Sequence, residues 1–220
     1  MLIPENIRNI VMIGEAGSGK TELSLNLAVH LAAEGKAVHL CDLDQTKPLL
    51  RARDAALEAE RQGITVHYQE QVFDSPTGSP AVIGSLGNRS RYCILDVGGG
   101  SYGAKQIGQF SEWIHRDDTC VLYIINPFRV WSGCLSAIDA TMEKILCEAK
   151  LDASLFVGNP FLGDTSSVTA FSEGIRLLKE MQLENKIAFY IASEGISKEA
   201  GKLTSKEVFP IHRYLEPEWL

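Results

Sequence analysis

Short apolar runs and amphipathic stretches alternate along this chain. Ile10-Val11-Met12-Ile13 is an unbroken apolar run bounded by polar residues, which suits a strand buried on both faces. Behind it, Leu23, Leu27 and Leu31, with Ala28 and Ala32, recur at three- and four-residue spacing and predict a helix that stops at Glu34-Gly35. The alternation then repeats. Strands are predicted at 37–41, 64–68, 92–95, 120–125, 154–158 and 187–191, the last convincing one. Helices are predicted at 48–62, 81–86, 104–115, 132–149 and 167–181, while 69–80 is dense in Ser, Pro and Gly and reads as a loop. Strands alternating with helices over the whole length predict an α/β fold of three layers, a mostly parallel twisted sheet with helices on both faces. No internal repeat or linker divides the pattern, so one domain over residues 1–220 is expected.

Composition narrows the function classes. With 21 basic and 28 acidic residues, a net charge of -7 and no basic run, the chain lacks the footprint of a nucleic-acid surface. No apolar run approaches the roughly 20 residues needed to span a bilayer, and the N-terminus has no signal-peptide pattern. The five cysteines form no C-x-x-C pair and read as reduced thiols, so a cytoplasmic protein is expected. None of the histidines falls in a recognisable motif with a Ser or Cys nucleophile.

The chemistry begins between the first strand and the first helix. Gly14-Glu15-Ala16-Gly17-Ser18-Gly19-Lys20-Thr21 fits G-x-x-x-x-G-K-[ST], and Glu22 continues into the helix. In that setting glycines let backbone N–H groups face phosphate oxygens, and the helix starts where its partial positive end favours an anion. Lys20 is expected to reach the β- and γ-phosphates, and the Thr21 hydroxyl to ligate Mg²⁺.

Acidic residues follow the strand ends. The strand at 92–95 runs into Asp96-Val97-Gly98-Gly99, placing Asp96 to hold the metal and Gly99 to touch the γ-phosphate in a D-x-x-G switch. Asp42 and Asp44 leave the strand at 37–41 on alternate positions, so both can approach the metal and the γ-phosphate. One is expected to organise metal-bound water and the other, Asp44 by preference, to orient the nucleophile; one of them capping the following helix is the simpler duty.

The ordered set GEAGSGKT, CDLDQTKP, ILDVGGG and VGNP resembles the MinD/ParA-type branch of the SIMIBI class of P-loop NTPases over residues 9–194. The resemblance implies a sheet of roughly seven or eight strands with the Asp96 strand beside the phosphate-loop strand. It also implies Mg²⁺-ATP as ligand, a homodimer closing around nucleotide and action on a protein partner. Carried onto this chain, Asp42 and Asp44 match the switch I acids, Asp96 and Gly99 match switch II, and Asn159, followed by Pro160, matches the base-contacting position.

One position departs from that pattern. Glu15 stands where the branch usually carries a signature Lys that reaches the partner's phosphates, and a carboxylate there is repelled by them. Asn159-Pro160-Phe161-Leu162 also lacks the Asp of N-K-x-D, which favours adenine over guanine. Ser193 and Glu194 follow the last predicted strand and either flank the base or form a solvated turn, and Arg129 is a weaker candidate for phosphate or partner contact. The leading expectation is a slow, switch-type ATPase. A phosphotransferase or ligase acting on a small acceptor, and a nucleotide sensor without hydrolysis, remain as alternatives.

Overall fold

The computed structural model describes residues 3–45, 50–68, 79–163 and 166–215. Eight strands form one sheet: β1 (Asn9–Ile13), β2 (Val38–Asp42), β3 (Ile64–Tyr68), β4 (Tyr92–Asp96), β5 (Thr119–Ile125), β6 (Leu155–Gly158), β7 (Ile187–Ser193) and β8 (Glu207–Ile211). Their order is β3-β2-β4-β1-β5-β6-β7-β8, and every neighbouring pair is parallel. β4 therefore lies beside β1, as expected, with Met12 opposite Asp96.

All five residues of β1 are buried because the sheet is covered on both faces. Ile10 and Met12 point into a core with Leu23, Leu27 and Leu31 of α1 (Lys20–Ala33) and with Ala56 and Ala59 of α2 (Ala56–Arg61). Val11 and Ile13 point the other way. There they meet the remaining helices, α3 (Pro80–Leu86), α4 (Gly100–Gly108), α5 (Ser111–Ile114), α6 (Leu135–Ala149), α7 (Val168–Glu180) and α8 (Glu194–Ala200). The strand order reverses around β1, so the loops after β1, β4, β5 and β6 crowd the carboxyl edge of the sheet, where open α/β sheets bind ligands.

Several predicted elements change shape. The helix expected at 48–62 is a short 3₁₀ turn, Ala52–Ala55, running into α2, and residues 46–49 lie outside the described ones. Most of the loop expected at 69–80 also lies outside them. The helix expected at 104–115 is two: α4 ends at Gly108, where a Cβ would lie 2.8 Å from the Glu148 carbonyl oxygen of α6, and buried Phe110 turns the chain. The segment after β7, for which a solvated turn is one of the two expectations, is α8. β8 was not expected. Pro210 argues against an interior strand, but β8 is at the sheet edge, where one missing N–H is tolerated.

Candidate functional site

Residues 14–19 form the loop between β1 and α1, and Gly14, Gly17 and Gly19 all have positive φ. Gly19 shows why no other residue serves. Its φ is 103°, and a Cβ would lie 2.2 Å from the side-chain nitrogen of Asn159. Asn159, just past β6, donates that amide to the Ser18 carbonyl at 2.7 Å and is itself buried. Arg129, from the segment after β5, donates its Nε to the Gly17 carbonyl at 3.1 Å.

Lys20 is only 2% exposed although it carries an ammonium group. Its Nζ folds back over the loop and donates to the carbonyls of Gly14 at 3.0 Å and Glu15 at 2.7 Å. The hydroxyl oxygens of Ser18 and Thr21 are buried with no hydrogen-bond partner among the described residues. Such orphaned oxygens are costly unless a ligand or ion completes them. Thr21 Oγ1 and the fully buried carboxylate of Asp96 are the hard oxygen donors that suit Mg²⁺. Among the described residues, no three His, Cys, Asp or Glu side chains cluster into a metal cage. A metal here thus fits the mode in which substrate phosphates supply part of the shell.

The three acids at the strand ends have different surroundings. Asp96 ends β4, pairs in register with Asp42, and accepts a long 3.5 Å contact from Ser24 Oγ of α1. Asp42 accepts Arg53 Nε and N–H with Oδ2 at 2.7 and 3.0 Å, and the Asp44 N–H with Oδ1 at 2.9 Å. Its side chain is wholly buried and that of Arg53 10% exposed, so this is an interior ion pair. Arg53 also donates to the Asp44 carbonyl at 2.8 Å, which fixes the strand exit. Asp44 is buried against Gly98, where a Cβ would lie 3.1 Å from its Oδ1.

The loop after Asp96 lies on the phosphate loop. A Cβ on Gly99 would be 2.7 Å from Ala16 Cα and 2.8 Å from Ala16 N, so only glycine fits. Gly100 N–H donates to the Gly14 carbonyl at 3.4 Å. The Glu15 carboxylate turns toward the start of α4, 3.2 Å from where a Gly100 Cβ would sit, and accepts its neighbour's N–H at Ala16. A carboxylate at a helix N-terminus is favoured by the helix dipole.

Beside the loop opens a cavity of about 250 Å³. Gly17, Gly19, Lys20, Thr21 and Glu22 form its phosphate-loop end, and Asn159, Pro160 and Phe161 one wall. Ile191, Ala192, Ser193, Ile196, Ile211, Arg213 and Leu215 also line it, and the Arg213 guanidinium lies over the Phe161 ring. Ser193 is therefore at the cavity, whereas Glu194 meets exposed His212 at 3.3 Å. Arg53, Glu22 in its contact with the C-terminal segment, and residues 211–215 were missed in the sequence. Only the apolar Val208-Phe209 and Ile211 hinted at an element there.

Residues 10–204 match the profile of the CobQ/CobB/MinD/ParA nucleotide binding domain. The chain belongs to this family. No curated protein matches it at a significant level. Among solved structures it is similar in fold to the cell division protein FtsY of Thermotoga maritima, with a TM-score of 0.54 and 24% identity. That match covers 87% of this chain and 64% of FtsY. The signal recognition particle 54 kDa protein of Aeropyrum pernix, in complex with GDP, has a TM-score of 0.54 and 16% identity, over 86% of this chain and 42% of that one. A nucleotide-binding protein of Archaeoglobus fulgidus in complex with ADP has a TM-score of 0.50 and 16% identity, over 90% and 88%. This chain thus spans less than two thirds of the FtsY and 54 kDa relatives. The family and the fold make it a nucleotide-binding P-loop domain of the MinD/ParA type. Among the described residues no helix is long and apolar enough to cross a membrane.

Proposed function

We propose that the protein binds Mg²⁺-ATP, hydrolyses it slowly, and acts as a nucleotide-dependent switch on a protein partner, closing as a homodimer around the nucleotide. The observation that carries this reading is Gly99 packed on Ala16. The loop after Asp96 lies so close to the phosphate loop that a group arriving at or leaving the γ position must displace it.

The roles follow from the surroundings. Lys20 and the loop N–H groups hold the phosphates, with the ammonium kept in the cradle by the Gly14 and Glu15 carbonyls. Thr21 and Asp96 hold Mg²⁺, which when bound neutralises charge on the phosphate oxygens. Asp42, balanced by Arg53, supports that site and fixes the backbone of Asp44, whose carboxylate beside Gly98 orients the attacking water.

The cavity supports adenine. Similar folds hold ADP in one case and GDP in another, so the support for adenine comes from the lining residues. Glu22 is the only acid lining it among the described residues, and its oxygens accept the backbone N–H groups of Tyr214 and Leu215. Among the described residues no other carboxylate lines the cavity to pair with guanine. Partner docking is supported beside the mouth, where Val130 is 89% exposed and Trp131 and Leu135 are exposed next to Arg129. One observation favours a non-hydrolysing sensor instead: Glu15 turns toward the start of α4, accepts the Ala16 N–H, and offers no cation across an interface.

Equilibrium titration with Mg²⁺-ATP, ADP and GTP, with phosphate release and light scattering on the same samples, tests the reading. ATP and ADP are expected to bind more tightly than GTP, with slow phosphate release and a dimer in ATP. Preference for GTP overturns the adenine assignment, absence of phosphate release leaves the sensor, and a monomer in every nucleotide state removes the homodimer.

A further inference from the structure

We propose that residues 212–215 are a strap over the nucleotide base, and that Glu22 and Asn26 of α1 are the positioning residues that hold it closed. The inference rests on the nucleotide reading above and assigns the part of the site that grips the base.

The strap follows β8 and folds back across the start of α1. Asn26 clasps its first residue at two points, accepting the His212 N–H at 2.7 Å and donating to the His212 carbonyl at 2.8 Å. Glu22 grips the far end: Oε2 accepts the Tyr214 N–H at 3.1 Å and Oε1 the Leu215 N–H at 3.0 Å. A carboxylate in the first turn of a helix ordinarily faces its own orphan N–H groups or solvent. This one serves another segment.

The strap lines the same cavity as the segment after β6: Arg213 and Leu215 border it together with Pro160, Phe161, Ile191 and Ile196. The Arg213 guanidinium lies 5.9 Å from the Phe161 ring centroid, joining the strap to that segment. Because Glu22 directly follows Thr21, one helix holds the phosphate end and the cover of the base end.

The test compares Mg²⁺-ATP with Mg²⁺-tripolyphosphate, which has phosphates and no base, on wild type, Glu22→Ala and Asn26→Ala. Loss of about tenfold in ATP affinity is expected in Glu22→Ala, the equivalent of one charge-assisted hydrogen bond. Tripolyphosphate affinity is expected to stay within about twofold. Glu22→Gln, which keeps one acceptor oxygen, should fall between. Equal losses for both ligands, or no loss, overturn the strap; wild type that binds tripolyphosphate and no nucleotide overturns the nucleotide reading itself. If Glu22→Ala does not fold, amide exchange in wild type decides. The Tyr214 and Leu215 amides should slow with ATP and not with tripolyphosphate, and equal protection overturns the proposal.

Discussion

The side-chain amide of Asn159 donates to the Ser18 carbonyl at 2.7 Å, fastening the end of β6 to a loop 141 residues earlier in the chain. The amide also occupies the space a side chain on Gly19 would need, so loop and strand end are fitted to each other.

Replacing Asn159 with Ala leaves the Ser18 carbonyl unsatisfied in a buried place, at a cost of about 1–3 kcal/mol. The expected outcome is a lower urea midpoint and weaker binding of ATP and ADP alike, since the loop itself loses support. Denaturant titration and equilibrium binding on the same variant check it. Unchanged affinity for both nucleotides would show that the loop keeps its shape without β6.

Gly99→Ala places a methyl group where 2.7 Å separates it from Ala16 Cα. The two loops must part. ADP binding is expected to persist while phosphate release falls at least about tenfold, an added barrier near 1.4 kcal/mol. A single-turnover assay reads this directly, and normal turnover would refute the switch role of Gly99.

Arg53→Ala strands a buried carboxylate at Asp42, whose side chain has no exposure. Removing one partner of such a pair costs about 3–5 kcal/mol. The variant should unfold at much lower urea, and Arg53→Ala combined with Asp42→Asn should recover part of the loss. No recovery in the double variant would argue against the ion pair as the cause.

At the β2–β3 edge, His67 Nε2 lies 2.7 Å from His39 Nδ1, and Arg91 NH1 donates to His39 Nε2 at 2.9 Å. Burial first, then Arg91 and His67, pushes His39 down to about 4, and burial and Arg91 lower His67 as well. Both folded-state values lie below the unfolded one of about 6.5. Their contribution is therefore complete above about 6.5 and is lost as the pH falls toward 4, because the unfolded chain takes up protons first. Both rings are partly solvated, so screening keeps the effect small. Urea midpoints at stepwise lower pH should fall more steeply in wild type than in His39→Gln; parallel curves would rule the pair out as a contributor.

The parts of the site that were legible in the sequence are those that follow one another along it. Gly14 to Thr21 declare a loop because strand, glycines, Lys and helix are adjacent, and Asp96 is marked by the apolar run before it. The sheet was legible for the same reason, since the central strands β1 and β4 are buried on both faces and read as apolar runs. β8 alternates exposed and buried positions and contains Pro210, as an edge strand can, so its pattern resembles a loop. Arg53 as the partner of Asp42, and Glu22 as the anchor of residues 214–215, depend on spatial neighbours that no local pattern encodes.

The clasp between α1 and residues 212–215 also bears on how the molecule comes into being. Glu22 and Asn26 wait for partners 186 to 193 residues downstream. The phosphate loop leaves the ribosome early, yet Arg213, which lies over the Phe161 ring, is made only about 190 residues later. Contacts of such sequence separation form late and slowly. A grip on the base that needs this clasp therefore forms only after synthesis has passed residue 215.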